Sequence, residues 1–172
     1  TLKEISPNDD DIIVILDGDD WLASSGVFSY LNDVYNKENC WMTYGSYVEY
    51  PSNQKGIFAQ QIPQKIIDSN SYRESQWMSS HLRTFRYKLW KHLDPADFIY
   101  SRSGNTFRAA WDLAFVFPML EMCGEKAKYI EDILYVYNRD NPLNEDKIDH
   151  PTQLAEEAEV RGKAKYSKLN KI

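Results

Sequence analysis

The run IIVIL, Ile12–Leu16, passes directly into DGDD, Asp17–Asp20. That junction limits the fold more than any other stretch of the chain. A short continuous apolar run reads as a strand buried on both faces. Three carboxylates then stand at its C-terminal end, where α/β folds bind their ligands. Asp17 and Asp19 are two apart and share a face of extended backbone. Gly18 lets the chain turn and lets a ligand approach the backbone. Left alone, such carboxylates repel one another and raise a pKa. A divalent cation removes that conflict, and oxygen ligands suit hard ions such as Mg²⁺ or Mn²⁺. The reading without a ligand is an exposed acidic turn in which Asp20 caps the next helix. A calcium loop of the EF-hand kind lacks its Asp/Asn spacing and its Glu at loop position twelve.

Around this junction the chain alternates between strand-like and helical segments. Residues 22–36 carry apolar positions at helical spacing, with Ser24 or Ser25 available as a cap. Residues 40–50, CWMTYGSYVEY, read as an aromatic-rich strand. Its Trp41, Tyr44, Tyr47 and Tyr50 form a stripe whose intervals of three do not match one strand face. Residues 51–75 are polar and carry Pro51, Gly56 and Pro63, which reads as a long surface excursion. A short strand and then a helix are expected over 82–93. Residues 104–123 are helical and mostly apolar, with a kink or break at Pro118 and a stop at Gly124. Residues 128–137 end in a strand, and 153–169 form a weakly amphipathic helix. The pattern favours an α/β domain.

Composition narrows the function. The net charge is −6 and the pI near 5.1, which disfavours a general nucleic-acid binder, since phosphate contacts need basic patches. Cys40 and Cys123 form no ligand cluster, and no run of apolar residues approaches the length of a membrane span. Asp112 lies among Trp111, Leu113, Phe115 and Val116. A carboxylate in such surroundings should face a polar cleft or a partner, or else serve as an acid favoured by a helix N-terminus. Glu121, nine positions on, is a candidate support for it. His81 is either an acceptor-site or metal group or a polar residue ahead of a strand, and His92 and His150 read as surface residues.

IIVILDGDDWL resembles the DXD region of inverting GT-A glycosyltransferases, family 2 in particular. Three further stretches resemble that family in the same order: HLRTFRYKLW (81–90), WDLAFVFPMLEMCG (111–124) and ILYVYNRDN (133–141). The resemblance implies part of a GT-A, Rossmann-like fold. Residues 1–145 would be the C-terminal portion of the catalytic domain, and 146–172 a polar loop and helical tail. It implies a metal-dependent inverting transferase with Mn²⁺ or Mg²⁺ as cofactor. Its donor would be a nucleoside-diphosphate sugar, UDP-linked by expectation, and its acceptor a hydroxyl on a carbohydrate, lipid or protein. The family's nucleotide-binding βαβ unit is expected ahead of the DXD region. Only eleven residues precede Ile12, so a separate segment would have to supply that unit. The cytoplasm, or the cytoplasmic face of a membrane, is the expected location.

By the same resemblance Asp19 would ligate the metal directly. Asp17 would contact the ribose or a metal-bound water, and Asp20 would orient the acceptor or support its loop. Asp140 stands where some relatives place a metal-binding His. Arg83 and Arg86 would contact the diphosphate or an acceptor carboxylate. Asp112 would be the base that takes the acceptor proton, with Trp111 stacked on a sugar face. Two alternatives remain open: a glycosyltransferase-like binding module without turnover, and a Mg²⁺-dependent phosphoryl or nucleotidyl transferase. The latter calls for a second set of metal carboxylates or a phosphate-binding Lys.

Overall fold

Ile15 ends the first strand and Trp21 begins the second, yet these two strands lie at opposite ends of the sheet. The computed structural model describes residues 5–172. Its strands are β1 (Ile12–Ile15), β2 (Trp21–Leu22), β3 (Met42–Tyr50), β4 (Gln54–Lys55), β5 (Arg83–Arg86) and β6 (Ala127–Asn138). The order across the sheet is β1-β5-β3-β6-β2, with β4 appended to β3. Laid flat, β1 and β2 would stand roughly 19 Å apart at the usual strand spacing. The connection could reach about 21 Å only if fully extended, and it is not extended. Asp20 N donates to Asp17 O at 3.2 Å, closing a turn. The sheet therefore curls, forming a half-barrel of mixed strand direction.

This architecture corrects the expected fold. The open, Rossmann-like sheet of a GT-A domain does not form. β1 is an edge strand paired antiparallel to β5, and β2 pairs antiparallel to β6. β3–β6 is the one parallel pairing among the described residues. β1 is also not buried on both faces. Its four residues are only partly covered, and Leu16 is 46% exposed. Five apolar residues in a row look alike at a sheet's centre and at its edge. The choice lies with the partner strand, which sequence periodicity does not report.

Curvature is reinforced at β6. Between Gly45 and Tyr47 on β3, the partner positions on β6 advance from Ile130 to Tyr135. The extra residues form bulges, which bend a strand and increase its twist. Glu131 and Asp132 sit in this region, and Asp132 accepts from Tyr30 Oη at 2.6 Å.

Helices cover both faces. α1 (Val27–Glu38) buries Val27, Leu31 and Tyr35. Val27 and Leu31 pack with Tyr47, Leu82, Leu134 and Tyr135. Neither Ser24 nor Ser25 is the cap residue; Gly26 is the N-cap, without a capping side-chain bond, and its own N–H donates to Ser24 Oγ at 3.3 Å. On the opposite face Met42, Tyr44 and Phe85 pack with α4 (Trp111–Cys123). The tyrosines of β3 are thus divided between faces, as odd spacing in a strand requires. Every residue of α4 from Leu113 to Cys123 is buried, which explains its lack of a polar face. Of the kink or break expected at Pro118 the break does not occur; the helix continues through it and ends at Gly124 with φ +52°. Smaller elements are α2 (Gln64–Asp68), α3 (Tyr87–Trp90), α5 (Glu145–Ile148) and α6 (His150–Gly162).

α6 stops seven residues before the helix expected from sequence. Beyond it, Tyr166, Leu169 and Ile172 pack on the main core without helical structure. A buried ion pair ties these parts together. Glu121 Oε1 and Oε2 accept from Arg73 Nε and Nη2 at 2.6 and 2.9 Å. Oε2 also accepts from Tyr166 N, and Arg73 Nη1 donates to Val160 O. Glu121 therefore does not support Asp112. Removing one partner of such a pair leaves a buried charge uncompensated. Glu121→Ala is expected to cost about 3–5 kcal/mol in urea denaturation, and replacing both partners together (Arg73→Met with Glu121→Leu) should cost less than that single change.

Candidate metal centre

The register of β1 on β5 runs from Ile12 opposite Arg86 to Ile15 opposite Arg83. Continued by two residues, it sets Asp17 across from His81. The turn after Asp17 then carries Asp20 to β6, where Trp21 faces Val136. The sheet's curl thus gathers groups that precede β5, follow β1 and precede β2. Asp17, Asp20 and His81 each offer one ligand atom, and these atoms lie within 4.8 Å of one another. It is the one such group among the described residues.

β6 holds the cluster in place. Tyr135 Oη donates to Asp20 Oδ2 at 2.5 Å and accepts from Asp17 N at 3.3 Å. Asn138 N donates to Asp20 Oδ1 at 2.7 Å. The His81 ring stacks on Tyr135, with centroids 4.4 Å apart and planes 8° from parallel. Tyr137 stacks on it as well, at 5.5 Å. Alternation along ILYVYN places both tyrosines on one side of β6.

Burial governs the protonation states. It raises the Asp17 pKa above the usual carboxylate range; Arg83 opposes the rise, while Asp112 and Asp19 add to it. Burial raises Asp20 as well, against the Tyr135 hydroxyl and the Asn138 amide. The Tyr135 phenol is pushed up by burial and by the neighbouring Asp17 charge. His81 is held well below its ordinary value, first by burial and then by Arg83. It is therefore neutral at pH 7, and its Nδ1, 3.9 Å from Asp17 Oδ2, forms no ion pair there. A neutral imidazole is the form that ligates a metal.

Arg83 joins this cluster to Asp112. Its side chain is only 2% exposed, and Nη1 donates to Asp112 Oδ2 at 2.7 Å. Nη2 lies 3.3 Å from His81 Nδ1. Asp112 stands in the first turn of α4, and its Oδ1 accepts from Leu113 N at 2.8 Å. The approach to that helix is fixed from α6. The buried Glu156 carboxylate accepts from the backbone N–H groups of Arg108, Ala109 and Ala110 at 2.7–3.2 Å. Beside this assembly lies a cleft of about 700 Å³. His81 and Asp112 line it together with Phe58, Trp77 and Tyr137. α6 supplies a further wall through His150, Gln153, Leu154 and Glu157.

The residues singled out from sequence fall into two sets. Asp17, Asp20, His81, Arg83 and Asp112 come together. Asp19 does not enter the cluster: it is exposed, and its Oδ2 accepts from Asn141 Nδ2. Asp140 is also exposed, in the turn after β6, with its N–H on Asn138 Oδ1. Arg86 sits at the far end of β5, donating to Cys40 O and Tyr35 O and lying over the Tyr35 ring. Trp111 is 39% exposed and its ring meets Phe115. Tyr135 was not foreseen. Its signal was its alternation with Tyr137 in the strand opposite the acids.

No protein-family model matches the chain, and no curated protein matches it. The glycosyltransferase reading is corrected on the fold. The curled half-barrel sheet is not the GT-A nucleotide-sugar scaffold, so the activity, the enzyme class and the DXD role inferred from the resemblance fall with it. The glycosyltransferase-like binding module falls for the same reason, and the phosphoryl-transfer alternative lacks its second carboxylate set among the described residues. What stands is an α/β domain whose Asp17, Asp20 and His81 can coordinate a metal ion. No helix among the described residues is long and apolar enough to cross a membrane.

The raised pKa of Asp17 has a testable sign. A carboxyl whose pKa is higher folded than unfolded contributes stability below the unfolded value, about 3.9, and loses it as pH rises through the folded value. At pH 7 without metal the ionised group is therefore a burden. Asp17→Asn is expected to melt above the parent protein in EDTA at pH 7. The gap should close as the pH is lowered towards 4, as followed by circular dichroism.

Proposed function

We propose that this domain binds a divalent cation, Mn²⁺ ahead of Mg²⁺, through Asp17, Asp20 and His81. The cation in turn anchors a small polar ligand in the adjoining cleft. The observation that carries this reading is the convergence of two burial-strained carboxylates and one neutral imidazole at a single point. A cation placed there would offset the desolvation of both carboxylates at once. The donor set favours the metal choice. Carboxylates suit Mg²⁺ and Mn²⁺ alike, whereas Mg²⁺ keeps to oxygen ligands and Mn²⁺, a first-row transition ion, also takes a nitrogen donor. Because His81 belongs both to the cluster and to the cleft wall, a ligand seated in the cleft has a short route to the metal.

The cluster is slightly open. Two atoms bound to one cation at about 2.1 Å cannot be more than about 4.2 Å apart. The 3.9 Å between His81 Nδ1 and Asp17 Oδ2 meets that limit, while a spread of up to 4.8 Å calls for a contraction of some tenths of an ångström. Thermal melts with Mn²⁺, Mg²⁺ and Zn²⁺ test the reading. At Mn²⁺ about a hundredfold above its dissociation constant, the parent protein should gain about 2.7 kcal/mol, or roughly 5–10 °C for a chain of this size. Asp17→Asn and Asp20→Asn should lose the gain. An equal shift in all three proteins, or none in the parent, would sink the proposal.

A further inference from the structure

We infer that Arg83 and the cation exchange places at His81, so that metal entry releases the Arg83 guanidinium to bind an oxyanion in the cleft. This rests on the cation site proposed above. A guanidinium can only donate, so in the contact with Arg83 Nη2 the His81 Nδ1 is the acceptor. A ring nitrogen has one in-plane lone pair. The same Nδ1 lies 3.9 Å from Asp17 Oδ2, and a cation bridging those two atoms needs that lone pair. Arg83 and the metal therefore compete for it.

The charge distribution supports an exchange. Arg83 lies close enough to Asp17 to oppose the rise in its pKa, and it holds Asp112 at 2.7 Å. Without metal the guanidinium supplies the positive charge that the acid cluster calls for. When a cation takes over that duty, Nη2 loses its acceptor. Arg83 already has one polar atom without a partner: Nε is buried and makes no hydrogen bond among the described residues. A buried donor in that condition costs free energy until it finds an acceptor. Nη1 can stay on Asp112, keeping the side chain anchored while Nη2 turns towards the cleft that His81 and Asp112 line. A tetrahedral oxyanion suits the vacated donor, since Arg favours phosphate-like groups. Binding of cation and anion is then mutually reinforcing, by the same factor in each direction.

Calorimetric titration of Mn²⁺, with and without sulfate as the oxyanion probe, tests this on the whole chain. Sulfate should tighten Mn²⁺ binding to the parent protein by at least about fivefold, and Mn²⁺ should tighten sulfate equally. Arg83→Lys separates competition from plain charge repulsion. It keeps a positive charge beside Asp112 but places its donors on one nitrogen instead of two set apart, so a side chain held by Asp112 no longer spans to His81 as Arg83 does. Exchange at the lone pair predicts that it binds Mn²⁺ alone more tightly than the parent and loses the sulfate effect. Arg83→Gln should do the same, with circular dichroism confirming that it folds; if it does not, the Lys variant decides. Mn²⁺ binding to Arg83→Lys that is unchanged or weaker, or a sulfate effect that persists in it, overturns the exchange while leaving the cation site intact. No Mn²⁺ binding by the parent or by either Arg83 variant removes the site itself and the exchange with it.

Discussion

The connection from Leu16 to Asp20 is the constraint on which the rest depends. It joins the two ends of the strand order through a hydrogen-bonded turn. A flat sheet cannot be closed by so short a link, so β5, β3 and β6 must curve around it. The bulges on β6 allow that curve, and the helices on the two faces fill the space it defines. The acids are therefore a hinge-point of the fold as well as a candidate ligand set. Asp20 bonds to Tyr135 and to the Asn138 backbone, fastening the link to the strand it must reach.

That dual role brings a conflict. The turn needs polar side chains that can bond to β6, yet curling the sheet over them removes them from water. Burial then raises the pKa of both Asp17 and Asp20. Arg83 offsets part of the cost for Asp17, and hydrogen bonds from Tyr135 and Asn138 offset part for Asp20. The residual mismatch is the physical reason to look for a cation here. A merely acidic surface turn would carry no such burden, because water would solvate its charges.

The strands and helices were legible wherever a single segment decided them. The apolar run at Ile12, the aromatic strand at Met42, the strand following Arg83 and the apolar helix ending at Gly124 all announced themselves locally. The sheet order did not, because β1 chooses β5 across some seventy residues of chain, and neither pattern specifies the other. The resemblance supplied a sheet in which β1 is central, and this was wrong. The site divided in the same way. The importance of Asp17 followed from its place after the strand, but the choice between Asp19 and Asp20 depended on the turn. His81 is open in the sequence between an acceptor-site or metal group and a polar residue ahead of a strand, and the β1–β5 register, which sets it across from Asp17, favours the metal group. Glu121 is a candidate support for Asp112 by its place nine positions on, whereas its partner is Arg73 from a distant loop.

The curl also limits what the sheet can do with other sheets. The strands at the two ends of its order are four and two residues long, and both run into the acidic turn. Long, flat edges invite other chains to add strands, whereas short ones flanked by charge discourage it. Residues that form the candidate metal site thus also guard the molecule against edge-to-edge aggregation. Neutralising the turn to probe metal binding would weaken that protection, and the solubility of such variants would register the change independently of any ligand.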